Sequence, residues 1–140
     1  MALPGVRHAR RSRKKRILVI DDDEQVLISL ECLLENEGCE TTVAWSGQEG
    51  LALLRSKPFD LVLLDDYLRD VAHEDIFNEI RGMEIQPPVV LTGSAGMHEA
   101  GRGFLEMGAT AVVYKWAPCE EIAATVRKCF SMTALELVTS

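Results

Sequence analysis

Five residues of this 140-residue chain share one place in its pattern, each standing just past a short apolar run. Asp21 and Asp22 follow Ile17-Leu18-Val19-Ile20, Asp65 follows Leu61-Val62-Leu63-Leu64, Thr92 follows Val89-Val90-Leu91, and Lys115 follows Ala111-Val112-Val113-Tyr114. If those runs are neighbouring strands, three carboxylates, a hydroxyl and an ammonium converge. Two carboxylates about 4 Å apart repel by roughly 4 kcal/mol at an effective dielectric of about 20, so a cluster of three needs a cation. Oxygen donors without His or Cys at these strand ends suit Mg2+, which keeps several waters and bridges readily to phosphate. Such a centre can leave one carboxylate free to attack phosphorus. Lys115 and Thr92 would hold the remaining phosphoryl oxygens by charge and by hydrogen bond.

The elements that must position these residues alternate from residue 16 onward without an internal repeat, the signature of a parallel α/β sheet. Ile17 to Ile20 is continuously apolar, as expected of a strand covered on both faces. Val26, Leu27, Leu30, Leu33 and Leu34 recur at helical spacing until Gly38 ends the helix. Thr41-Thr42-Val43 predicts a second, edge-like strand, and Ser46 opens a helix that stops near Pro58. Phe59 to Leu64 predicts a third strand, Glu74 to Arg81 a short helix, and Pro88 to Leu91 a fourth strand. Met97 to Met107 predicts a helix weakened by Gly101 and Gly103. Ala111 to Tyr114 is the fifth strand, and Pro118 is expected at the first position of a closing helix whose apolar face is Ile122, Val126, Cys129 and Phe130. In such sheets ligands bind outside the carboxyl ends of the strands, which is where the five residues stand.

With 47% apolar residues the chain can bury one domain's core. It has no apolar run of about 18 residues to span a bilayer and no apolar segment behind its basic start, so a soluble, cytoplasmic protein with no membrane partner is expected. Seven of its 15 basic residues lie between Arg7 and Arg16, leaving eight against 22 acids in the rest. The acidic body should repel nucleic acid; only the arm is suited to phosphates, and its composition fits a solvated, flexible segment. The expected division is a basic arm over 1–15, a domain over 16–131 and a tail over 132–140. Cys32, Cys39, Cys119 and Cys129 show no metal or redox spacing and are read as reduced thiols at buried positions.

The strings ILVIDDDEQV, FDLVLLDD, VVLTG and GATAVVYK resemble, in order and spacing, the receiver domains of two-component response regulators, over residues 16 to about 130. The resemblance implies a flavodoxin-like (βα)5 doubly wound fold, a five-stranded parallel sheet of order 2-1-3-4-5. It implies Asp65 as phosphoacceptor, Asp21 and Asp22 as the acidic metal pair, with Asp22 the direct ligand and Asp21 acting largely through water. The main-chain carbonyl of Tyr67 would complete the shell of Mg2+ (or Mn2+). Thr92 falls at the switch hydroxyl, Lys115 at the phosphoryl-binding lysine, and Tyr67 and Ser94 at positions that tune phosphoryl lifetime. The implied partners are a sensor histidine kinase or phosphotransfer protein and a downstream protein, with no catalysis beyond self-phosphorylation and autodephosphorylation.

The chain also departs from the family's pattern. Asp66-Tyr67-Leu68-Arg69-Asp70 stands where Met-Pro-Gly usually follows the phosphoacceptor, and strand alternation predicts that Asp66 points away from Asp65. Val112 occupies the aromatic switch position, so the usual coupling of hydroxyl to aromatic ring is not expected. Trp116 follows Lys115 in place of proline. A cis bond there would cost roughly 3 to 4 kcal/mol, so a trans bond is expected, with Lys115 held away from Asp65 until a phosphoryl group attracts it. These breaks make a phosphorylation-independent pseudo-receiver the second reading. A haloacid-dehalogenase-like phosphatase is a third, since Asp21-Asp22-Asp23 contains an Asp-x-Asp, but Gln25 stands where Thr or Val is expected and no acidic motif follows Lys115. Singly, Asp23 reads as a helix cap and Lys115 as a surface charge; only their coincidence with the other strand ends argues for a site.

Overall fold

The structure is a computed structural model, and it describes residues 13–94 and 98–131. Most of the expected basic arm and the whole expected tail lie outside the described residues. Five strands, β1 (Arg16–Ile20), β2 (Glu40–Ala44), β3 (Leu61–Asp65), β4 (Val89–Gly93) and β5 (Ala111–Tyr114), form one parallel sheet in the order β2-β1-β3-β4-β5. The helices are α1 (Glu24–Asn36), α2 (Gly47–Ser56), α3 (His73–Arg81), α4 (His98–Met107) and α5 (Cys119–Ser131). This is the flavodoxin-like architecture expected, with the winding reversing between β1 and β3.

Strand alternation divides the apolar runs between two cores. Ile17, Val19, Leu61, Leu63, Val90 and Val113 pack against Val26, Leu30 and Leu34 of α1 and Ile122 and Val126 of α5. Leu18, Ile20, Val62, Leu64, Val89 and Leu91 pack against Leu51 and Leu54 of α2 and Ile76, Phe77 and Ile80 of α3, with Phe104 and Met107 of α4 at the margin. All five residues of β3 and of β4 are buried, which is why these strands read as unbroken apolar runs.

Local chemistry sets the ends. The Asp23 carboxylate caps α1 by accepting from the Gln25 amide at 2.9 Å, the capping role expected of it. Gly38 takes φ +85° where the chain leaves α1. Ser46 caps α2 by accepting from the Glu49 amide at 3.1 Å. Pro118 is not the first residue of α5 but the residue before it, its carbonyl accepting from the Glu121 and Ile122 amides.

The cysteine expectation holds for Cys39 and Cys129, which are buried, and fails for Cys32 and Cys119, which are exposed. Cys32 lies two residues beyond Leu30, about 200° around the helix and opposite the buried stripe. At the start of the domain, the Lys15 ammonium stands 5.4 Å from the centre of the Phe130 ring. Among the described residues no helix is long and apolar enough to cross a membrane.

Candidate metal and phosphoryl centre

The backbone carries each predicted residue to one edge of the sheet. The β1–β2 ladder runs one residue past β1, the Asp21 amide donating to the Ala44 carbonyl at 3.1 Å, so the Asp21 side chain is delivered at the strand's mouth. Its Oδ1 accepts from the Asp23 amide at 2.9 Å, which turns the chain into α1. Asp65 is the last residue of β3, not the first beyond it, and stands in register with Thr92. The Lys115 amide donates to Gly93 at 2.8 Å, extending the β4–β5 ladder past β5.

Asp21, Asp22 and Asp65 each offer an oxygen within 4.8 Å of the others. Asp21 is 0% exposed and Asp65 2%. The Lys115 ammonium lies 3.0 Å from Asp65 Oδ1 and 3.4 Å from Asp21 Oδ2. Neither of those oxygens receives a well-aligned hydrogen bond among the described residues, so they are compensated by charge alone. Asp22 is more open, and its Oδ2 is 3.2 Å from Arg69 Nε.

The pKa shifts follow from this crowding. Burial pushes the Asp65 carboxyl up to about 7, with Lys115 opposing the rise and the Asp21 and Asp66 carboxylates adding to it. Burial also raises Asp21, against the Asp23 amide and Lys115. For Lys115 burial alone would favour the neutral amine, but pairing with Asp65 and Asp21 overrides it and the net shift is upward. Two buried oxygens that lack hydrogen bonds, on Asp21 and Asp65, with the Asp22 carboxylate beside them, fit a hard divalent cation with oxygen ligands.

Two expectations are corrected here. All peptide bonds among the described residues are trans, as expected before Trp116, but the lysine is not held away: it already sits against Asp65. The reason is a tight turn, closed by the Ala117 amide on the Tyr114 carbonyl at 3.0 Å, with Lys115 and Trp116 at its two central positions. That turn aims the side chain inward without a proline. Asp66 does not point clear of the site either. Its carboxylate is close enough to raise Asp65, and its Oδ2 accepts from the Ser94 amide at 3.4 Å and from the Ser94 hydroxyl at 3.3 Å. The Asp66 amide continues the β3–β4 ladder by donating to the Thr92 carbonyl at 2.9 Å, and the Ser94 amide and hydroxyl hold its carboxylate at this edge of the sheet.

Thr92 is buried beside Asp65, its hydroxyl donating to the Leu64 carbonyl at 3.4 Å. The Tyr67 side chain and Ser94 are exposed at the mouth. Val112 is half-buried and has no polar group to receive a signal from Thr92. The loop from Asp66 to Ala72, which lacks the family's proline and glycine, is tied down differently. The Asp70 carboxylate accepts from the Gly47 amide at 3.0 Å and the Gln48 amide at 2.9 Å, which caps α2 from another loop and lowers the Asp70 pKa. Val71 lies so close to Gly47 that a Cβ there would collide with it. Sequence reading missed Asp70, and it missed His73, whose Nε2 donates to the Asp65 carbonyl at 2.8 Å.

A five-stranded sheet of this winding, with three acids and a lysine gathered at its switch point, defines the receiver class of signalling domain. The comparisons agree, and the chain belongs to the response regulator receiver domain family, whose profile matches residues 17–127. It is 28% identical to the response regulator ArlR of Staphylococcus saprophyticus, over 80% of this chain and 50% of that protein. Among solved structures it resembles the non-phosphorylated HemR receiver domain of Leptospira biflexa, at 32% identity and a TM-score of 0.73, covering 86% of this chain and 97% of the other. It also resembles the response regulator TrrA of Thermotoga maritima in complex with Mg(2+)-BeF, at 28% identity and a TM-score of 0.71, covering 82% and 98%. The chain spans about half the length of the curated relatives it matches.

Proposed function

We propose that this receiver domain accepts a phosphoryl group on Asp65 with the help of a divalent cation, Mg2+ or Mn2+, held by Asp21, Asp22, Asp65 and the main-chain carbonyl of Tyr67. The observation that carries the reading is the pair of buried carboxylate oxygens, on Asp21 and Asp65, that face Lys115 without a well-aligned hydrogen bond. When bound there, the ion offsets the repulsion among the acids, keeps Asp65 ionised at neutral pH and draws charge from the phosphoryl oxygens.

An Asp65 carboxylate oxygen attacks phosphorus as the donor's P–N bond breaks, and the departing imidazole of a phosphohistidine takes up a proton; a small acyl phosphate would lose its P–O bond instead. Lys115 holds a phosphoryl oxygen by charge, and Thr92 turns its hydroxyl from Leu64 to another. Ser94 and Tyr67, at the mouth, govern access of the water that later hydrolyses the aspartyl phosphate. The donor would be a sensor histidine kinase or phosphotransfer protein in the cytoplasm, and the product a changed surface read by a downstream protein. The acids and lysine stand complete, which favours a phosphoacceptor over a phosphorylation-independent module or a haloacid-dehalogenase-like phosphatase.

Incubation with Mg2+ and acetyl phosphate should add one phosphoryl group, and peptide mapping should place it on Asp65. Modification that persists in Asp65→Asn, or that forms without a divalent ion, overturns the assignment.

A further inference from the structure

Resting on the phosphoacceptor reading of Asp65, we infer that His73 is a positioning residue that ties the carbonyl of Asp65 to Phe104 and so carries the state of the site to α4. The β1–β3 ladder ends at the Ile20↔Leu64 pair, and beyond it β1 turns to β2 through the Asp21 amide, so β1 offers nothing to the Asp65 carbonyl. His73, the first residue of α3, fills that role: its Nε2 is 2.8 Å from the carbonyl oxygen, and since a carbonyl can only accept, Nε2 carries the proton. The same ring meets the Phe104 ring edge-on, with centroids 4.8 Å apart and planes at 64°. Asp65 and α4 are therefore two contacts apart.

The rest of the surroundings gives this path its importance. On β5, Val112 cannot exchange a hydrogen bond with Thr92. α4 contains Gly101 and Gly103, the second with open space where a Cβ would be, so the helix is held by packing at residues such as Phe104 more than by its own propensity. A change in the charge on Asp65 pulls on its carbonyl and thus on the His73 ring, and the ring moves Phe104. His73→Phe keeps the ring and removes the N–H; His73→Gln keeps an N–H and removes the ring; Phe104→Leu removes the other ring.

The experiment adds Mg2+ and beryllofluoride to the full chain and to these three variants, reading bound fluoride by 19F NMR and the amides of Arg102 to Met107 by 15N NMR. In the parent chain both signals should respond. In each variant bound fluoride should persist, while the amide shift changes across α4 fall by at least half. Thermal midpoints and sheet amides serve as folding controls, and any one folded variant suffices. Undiminished α4 changes in a folded His73→Phe or His73→Gln, or no α4 change in the parent chain despite bound fluoride, would overturn the inference. Absence of bound fluoride in the parent chain contradicts the phosphoacceptor reading itself, which separates the two failures.

Discussion

β3 has an aspartate at each end, and both face basic side chains. Asp60, just before the strand, is tied to β1 through one oxygen: its Oδ2 accepts from the Arg16 amide at 2.7 Å and pairs with Arg16 Nε at 3.3 Å, its Oδ1 has only Arg13 at 3.9 Å, and the Asp60 amide donates back to the Arg16 carbonyl at 2.7 Å. Asp65, five residues on, is deeper and less satisfied, with one oxygen facing only the Lys115 charge and two further carboxylates close by. The same ingredients thus serve two ends. A carboxylate hydrogen-bonded to the backbone and side chain of the neighbouring strand fixes register; one that is buried, crowded and short of donors suits the cation and the electrophile proposed for it.

The largest effects expected from breaking this contrast are at Asp65. Asp65→Asn should abolish phosphorylation, as mass spectrometry would read. It should also stabilise the metal-free protein. Because burial raises the folded-state pKa of Asp65 to about 7 from 3.8, the folded state holds a proton that the unfolded chain has lost between those values. Metal-free stability therefore falls as pH rises from about 4 to 7, by on the order of 3 kcal/mol in total from this group. Urea titrations across that range should show the slope in the parent chain and a flatter line in Asp65→Asn. An equally steep slope in the variant would assign the effect elsewhere.

Next in size is Lys115→Ala. With the ammonium already against both buried acids, its loss should slow phosphorylation by acetyl phosphate about tenfold or more, near 1.4 kcal/mol of barrier. It should destabilise the metal-free protein by about 2 kcal/mol, less than a buried pair usually loses because the acids can take up a proton instead. A rate within twofold of the parent would mean that the lysine does not touch the phosphoryl group.

The opposite end should respond in stability alone. Asp60→Ala leaves the Arg16 amide and guanidinium without their acceptor and should cost about 2 kcal/mol in urea unfolding, with the phosphorylation rate unchanged. Smallest of all is Arg13→Ala: its side chain is 62% exposed and its contact with Asp60 is long, so the change in stability should stay within about 0.5 kcal/mol. A rate defect in Asp60→Ala would show that the two ends are not independent.

Much of this was legible beforehand, for particular reasons. Ile17–Ile20 and Leu61–Leu64 are buried on both faces, which leaves an unbroken apolar run in the sequence, and the site residues stand at the ends of such runs. What periodicity could not disclose was contact between loops. Asp70 reaches the amides of Gly47 and Gln48 across more than 20 residues, and His73 reaches back over α3's start to Asp65. Neither leaves a local pattern, because a side chain's choice of a distant backbone partner is set only when the loops pack. The position of Lys115 does not follow from the peptide geometry before Trp116 alone, because the turn that closes on Tyr114 sets it. The exposure of Cys32, by contrast, was available from the helical angle.

The proposal that one end of β3 is tied to its neighbouring strand while the other takes a cation is tested most directly by 13C NMR of the aspartate carboxyls during a Mg2+ titration at neutral pH. Resonances of Asp21, Asp22 and Asp65 should shift together and saturably, with that of Asp60 unmoved. Shifts as large at Asp60 as at Asp65, or an Asp65 resonance indifferent to Mg2+, would contradict it.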